Sequence, residues 1–234
     1  MLPEAIIFDV DGTLAETEEL HRCAFNETFA AQGLDWRWDR DDYRCLLGTT
    51  GGKERMARHL REIGQPETAV DIRALHRTKT ERYAVLVAEG RLSLRDGVEE
   101  LIAEARDAGI AVAIATTTNR PNVDALCAAT FGASPGEIFA AVACGDDVAA
   151  KKPAPDVYLL ALAQLGVRAE QTLAIEDSHN GLQSALAAGI DCIVTPSAYT
   201  AGEDFGGAIS VIADLRALGG LDGMARMCWM VSSD

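Results

Sequence analysis

A chain of 234 residues, 48% hydrophobic and 24% charged, carries enough apolar material for one large domain or one domain with a smaller insert. Its 36 acidic and 21 basic side chains leave a formal net charge of −15, a surface that repels nucleic acid and anionic lipid at long range. No apolar run reaches the roughly 18 residues that cross a bilayer, and the opening Met-Leu-Pro-Glu-Ala lacks the basic and apolar regions of a leader peptide. A soluble, cytoplasmic chain is expected, with no nucleic-acid and no membrane partner. The six cysteines (Cys23, Cys45, Cys127, Cys144, Cys192, Cys228) show neither CxxC pairs nor zinc spacing and read as small hydrophobes in a reducing compartment.

Short apolar runs predict strands at Ala5 to Phe8, Gly109 to Ala115, Phe139 to Cys144, Thr172 to Ile175, Asp191 to Thr195 and Ala208 to Ile212. Between them lie patterns with apolar residues three and four apart, at Val98 to Ala105, Pro121 to Ala129, Asp156 to Leu165 and Ser178 to Ala188. Gly109, Gly166 and Gly189 follow three of these helices, where a cap needs a residue tolerant of positive φ. Strands alternating with helices predict an α/β fold with a doubly wound parallel sheet, whose ligands sit beyond the carboxyl ends of the strands. Residues 16–90 break the rhythm: helical patterns occur there (Leu20, Phe25 and Phe29; Met56, Leu60 and Ile63; Val70 to Val87) and no strand candidate. The expected organisation is a core of residues 1–15 and 91–234 with an inserted all-helical cap at 16–90. Gly202 to Gly207 reads as a loop, and the stretch after Gly219 carries no clear pattern.

Reactive side chains gather where the strands end. Asp9 and Asp11 flank Val10 at the end of the first run, before Gly12 and Thr13; a plain polar turn is the alternative reading. Thr116, Thr117, Thr118 and Asn119 end the second core strand, as a helix cap, a phosphate cradle or both. Lys151 and Lys152 sit in a proline-restrained loop, either aimed inward or solvated. Glu176 and Asp177 end the fourth core strand. Four carboxylates at one sheet edge repel strongly unless a cation sits among them, and oxygen-only ligands suit Mg²⁺.

The ordered set Asp9-x-Asp11-Gly12-Thr13, Thr116, Lys152 and Glu176-Asp177 resembles the four motifs of the haloacid dehalogenase-like phosphotransferases, and the helical insert resembles their β-phosphoglucomutase-like branch. The resemblance spans the chain. It implies a Rossmann-like core in which Asp9 is the nucleophile that becomes an aspartyl-phosphate and Asp11 the acid and then base. It further implies that Thr116 and the Thr117 N–H hold a phosphoryl oxygen and that Lys152 neutralises developing charge. Mg²⁺ would be held by Asp9, the Asp11 carbonyl and Asp177, with Glu176 close by.

The inserted helices should choose the substrate. Glu18 and His21 share a helix face and point into the cleft, or are ordinary surface and packing residues. Gly51 and Gly52, followed by Lys53 and Arg55, suit an anion at a helix start, or form a flexible loop before a solvated helix. His76, Arg77 and Lys79 add cations, or are an exposed helix face. Together they predict a grip on a second phosphate, hence a small sugar bisphosphate as the partner. The run Gly-Gly-Lys-Glu-Arg-Met, with Glu-Glu-Leu-His-Arg and Phe25-Asn26, resembles the CbbY branch, known as xylulose-1,5-bisphosphate phosphatases that dispose of a rubisco inhibitor. A phosphomutase of the β-phosphoglucomutase kind is the alternative, and a non-catalytic sugar-phosphate sensor a remoter one. One departure is Asp96-Gly97-Val98, where relatives place a proline before Gly-Val, which leaves the stiffness of the second linker open. A monomer is expected.

Overall fold

The computed structural model describes residues 2–231, with side chains through 227; the Met1 and Cys228 side chains of the sequence reading lie outside these described residues. Six parallel strands form one sheet in the order β3-β2-β1-β4-β5-β6. They are β1 (Ala5–Phe8), β2 (Ala111–Ala115), β3 (Ala141–Ala143), β4 (Thr172–Glu176), β5 (Asp191–Val194) and β6 (Ser210–Val211). All six expected strands are present. The two edge strands are shorter than their apolar runs, and Val211 on β6 is half exposed.

The period-two alternation of side chains explains the two packed faces. Ile6, Phe8, Val112, Ile114, Leu173 and Ile175 enter one core with α5 (Val98–Asp107), α6 (Arg120–Thr130) and α10 (Gly220–Val231). Ile7, Ala113, Ala115 and Ala174 face the other, against α8 (Asp156–Leu165) and α9 (His179–Ala187). Small residues on that second face let the helices lie close. Gly109, Gly166 and Gly189 take the expected positive φ after their helices. The stretch after Gly219 is a helix after all: α10 buries Met224 and packs on α5. Gly219, Gly220 and Gly223 conceal its pattern in the sequence.

Between β1 and α5 the chain forms α1 (Glu18–Ala31), α2 (Arg40–Leu47), α3 (Gly52–Glu62) and α4 (Ile72–Ala88). Phe25, Phe29, Trp38, Tyr43, Leu46, Met56 and Leu75 give these helices their own core. Ile63 does not join it; it caps α3 and is 44% exposed. Asp39 and Asp42 close a capping box on α2, and the Asp71 side chain accepts from Ala74 N–H at the start of α4. α4 packs on α1 and on α6, so it joins the insert to the sheet layer.

The two linkers are tied together. Ala15 forms bridges with Asp11 and with Leu94, and Arg95 N–H donates to the Leu14 carbonyl at 2.8 Å. The Arg95 guanidinium also donates to the carbonyls of Gly12, Thr195 and Pro196. Asp96 pairs with Arg216 at 2.9 Å and its carbonyl accepts from Leu215 N–H. The segment that lacks the proline is thereby held by an arginine staple and an ion pair. A short helix, α7 (Pro135–Ile138), and α8 complete the layers.

Candidate active site

The register of the sheet brings the strand ends together. Phe8 pairs with Ile114 and with Ile175, so the residues that follow β1, β2 and β4 emerge at one edge. Asp9, Glu176 and Asp177 place carboxylate oxygens within 4.8 Å of one another, all three buried. Lys152 completes this group from the loop before α8. Its Nζ lies 2.6 Å from Asp9 Oδ1, 2.6 Å from Glu176 Oε1 and 2.8 Å from the Ala115 carbonyl, which uses all three ammonium protons. Burial alone would push the lysine towards neutrality, but the two carboxylates overcome it and hold Lys152 charged.

Burial pushes the Asp9 carboxyl up to about 8 against the pull of Lys152, with Glu176 and Asp11 adding to the rise. Asp177 is likewise raised by burial and by Asp9 and Glu176. Both shifts report carboxylates crowded beyond what one lysine compensates, and a bound cation would reverse them. Glu176 is the deepest of the three: Oε1 also accepts from Tyr158 Oη at 2.7 Å, and Asp177 N–H approaches Oε2 at 3.3 Å. A residue other than glycine at 12, where φ is +87°, would drive its Cβ into the Asp177 carboxylate, so this turn can only be made by Gly12.

Asp11 faces the inserted helices instead. Its Oδ1 accepts from Thr17 Oγ1 at 2.6 Å and from His21 Nε2 at 3.0 Å. Burial opposes ionisation, yet His21, Thr17 and Lys79 hold the carboxyl well below the usual range. Lys79 Nζ donates to His21 Nδ1 at 2.7 Å, which leaves the imidazole proton on Nε2, pointing at Asp11. Burial and Lys79 keep His21 neutral, and burial brings Lys79 itself down to about 7.

Two cavities meet at Asp11, Arg55 and Thr117, which line both. One contains Asp9, Glu18, Lys152 and Asp177. The other contains His21, Gly51, Gly52, Lys53, His76, Lys79, Asn119, Asp146 and Lys151. Thr116 lines neither; it is buried, and its hydroxyl oxygen accepts from Thr118 N–H at 3.2 Å. Asn119 caps α6 and donates to Thr80 Oγ1 on α4. Arg77 departs from expectation. It is exposed and lines neither cavity, because one helical step turns it about 100° from the face shared by His76, Lys79 and Thr80.

Tyr43 is the principal residue that sequence reasoning missed. Its hydroxyl donates to Glu18 Oε2 at 2.8 Å and accepts from Arg55 Nη1 at 3.0 Å. Its place in an apolar pattern on α2 marks it as core, and only the tertiary fold brings its hydroxyl to Glu18. Thr17, Tyr158, Asp146 and Thr50, whose hydroxyl donates to the Lys152 carbonyl, were missed for the same reason.

Residues 3–189 match the haloacid dehalogenase-like hydrolases, which covers most of the chain. The chain belongs to that family. Protein CbbY of Cereibacter sphaeroides is 58% identical over 221 residues, 94% of this chain and 96% of the relative. The crystal structure of a point variant of CbbY from Rhodobacter sphaeroides, in complex with xylulose-(1,5)bisphosphate, superposes with a TM-score of 0.92 at 57% identity, covering 95% of this chain and 99% of that one. β-Phosphoglucomutase of Clostridium difficile has a TM-score of 0.83 at 18% identity over the whole of both chains, a likeness of fold alone. As a member of the haloacid dehalogenase-like family with these relatives, the chain is an enzyme, a phosphatase, as its four motifs led one to expect. Among the described residues, no helix is long and apolar enough to cross a membrane.

Proposed function

We propose that the chain is a Mg²⁺-dependent phosphatase that removes one phosphate from xylulose 1,5-bisphosphate, giving xylulose 5-phosphate, through an aspartyl-phosphate on Asp9. The observation that carries the reading is the joining of two unlike ends. Asp9 and Lys152 lie in one cavity, and Lys53, Lys79 and Lys151 in the adjoining one, with Arg55 between them. Such a shape takes a small molecule with an anion at each end. The likeness to CbbY, solved with xylulose-(1,5)bisphosphate, supports this choice of sugar.

Asp9, Asp177 and, behind them, Glu176 fit Mg²⁺: they are hard oxygen donors within 4.8 Å of one another, and the raised carboxyls of Asp9 and Asp177 lack a sufficient counter-charge. When bound, the ion supplies charge neutralisation between these carboxylates and the phosphoryl group. Lys152 holds Asp9 Oδ1 and leaves Oδ2 to attack phosphorus as the bond to the sugar oxygen breaks. Asp11 rests ionised with Oδ1 taken by Thr17 and His21, so the proton that Oδ2 passes to the departing sugar oxygen is first taken up from solvent. The carboxylate so restored takes a proton from the water that frees Asp9. The Thr117 N–H steadies a phosphoryl oxygen, and Lys152, its three protons already engaged, contributes its positive charge. The insert at 16–90 acts as the specificity cap, with Lys53 and its neighbours on the second phosphate and Glu18 and Arg55, joined through the Tyr43 hydroxyl, on the sugar.

Asp9→Asn tests the covalent route. The variant should lose at least about a thousandfold in phosphate release while keeping its far-UV circular dichroism. Substantial residual turnover in a folded variant would remove the aspartyl-phosphate from the account.

A further inference from the structure

Besides Asp11, a second carboxylate, Asp146, stands among the cations of the second cavity. Asp146 Oδ1 lies 2.7 Å from Lys53 Nζ, and Lys53, with Lys151 and His76, holds that carboxyl below its ordinary range. Asp146 is fixed to the core. The neighbouring Gly145 N–H donates to the Thr118 carbonyl at 2.9 Å, Cys144 N–H donates to the Asp147 carboxylate at 2.9 Å, and a Cβ at Gly145 would overlap the Thr117 carbonyl. Lys53 belongs to α3, so the pair spans the cleft between insert and core. Lys151 crosses in the opposite sense, 3.4 Å from Glu54.

Resting on the bisphosphate reading above, we propose that Asp146 is a positioning residue that sets product release: it competes with the far phosphate of the substrate for Lys53, and by taking the lysine back it releases the sugar-monophosphate product. The far phosphate is untouched by the reaction, so whatever grips it in the substrate grips it equally in the product. A grip of that kind slows departure of the product. A phosphate and a carboxylate cannot share one ammonium without repelling each other. With Asp146 fixed at hydrogen-bond distance, Lys53 passes from one anion to the other and is not left without a partner. The cost of the competition falls on ligands that carry the far phosphate.

The test is Asp146→Asn, which keeps shape and an acceptor but loses the charge, beside Asp146→Glu, which keeps the charge. Inhibition by xylulose 5-phosphate and steady-state kinetics on xylulose 1,5-bisphosphate are measured for both. The Asn variant should bind product at least fivefold more tightly, with KM for the bisphosphate falling alongside, and the Glu variant should stay near the parent. An unchanged or weakened product affinity in Asp146→Asn overturns the proposal, because Asp146 then does no more than hold Lys53 in place. Lys53→Ala separates this from the reading beneath it. If that variant raises KM for the bisphosphate while Asp146→Asn leaves product binding unaltered, only the competition fails. If Lys53→Ala leaves KM unchanged, the second-phosphate site itself is wrong.

Discussion

His21 on α1 donates through Nε2 to Asp11 Oδ1 at 3.0 Å, joining the inserted helices to the loop after β1. Lys79 on α4 fixes the tautomer from the other side of the ring, and Tyr83 stacks on it with centroids 4.0 Å apart. Asp11 is therefore oriented by residues of the insert. Placement of the helices over the sheet is thereby coupled to the orientation of the carboxylate proposed as acid and base. His21→Ala should lower kcat by about 10- to 100-fold, the range of a lost charge-assisted hydrogen bond, with a smaller change in KM. Steady-state kinetics check it; an unaltered kcat would mean Asp11 needs no partner from the insert.

Lys53→Ala removes a cation from the cavity wall but lies on α3, away from the carboxylates that end the strands. The ratio of kcat/KM for a sugar bisphosphate over the corresponding monophosphate should fall by at least about tenfold, the worth of one charged hydrogen bond. Equal ratios in parent and variant would remove Lys53 from phosphate recognition.

Tyr43→Phe keeps the ring packed among Phe25, Trp38 and Tyr199 but deletes the hydroxyl between Glu18 and Arg55. Leaving a buried carboxylate without its donor costs about 1–3 kcal/mol, which at this chain length lowers Tm by several degrees. The same change should raise KM, since Glu18 loses its fixed orientation. Thermal melts and kinetics on one preparation check both effects.

His76 carries the pH prediction. Burial, followed by the charges of Lys79, Lys53 and Lys151, lowers its pKa from 6.5 to about 3. Between those values the unfolded chain takes up a proton that the folded chain refuses, so this residue makes stability fall as pH drops from about 6.5 towards 3. His76→Gln lacks that term. Its Tm should decline less than the parent's between pH 7 and pH 4, a difference that grows as pH falls; parallel declines would contradict the assignment.

The strand ends were legible because buried strands are short apolar runs and each stops at a residue too polar to continue. Asp9, Thr116 and Glu176 announce themselves in that way and the sheet register brings them together, whereas Lys152 stands out through the prolines of its loop before α8. Tyr43, Thr17 and Asp146 do not. The first two look like packing and capping residues until α1 and α2 are placed, and Asp146 looks like one more surface acid until Lys53 arrives from α3. Arg77 shows the converse: a cation one step from a functional face can look like part of it in sequence and still point to solvent. The helix α10 was hidden by its glycines and declares itself through the burial of Met224 against the core beneath α5.

The central claim is that a site built for phosphoryl transfer at Asp9 also selects a second phosphate. Phosphate release with Mg²⁺, measured side by side from xylulose 1,5-bisphosphate, ribulose 1,5-bisphosphate and β-glucose 1-phosphate, tests it most directly. The account predicts a strong preference for the xylulose bisphosphate, by kcat/KM, over the glucose monophosphate and over the ribulose epimer. Equal or uniformly slow release from all three, or turnover confined to the glucose phosphate, would contradict the assignment of the substrate.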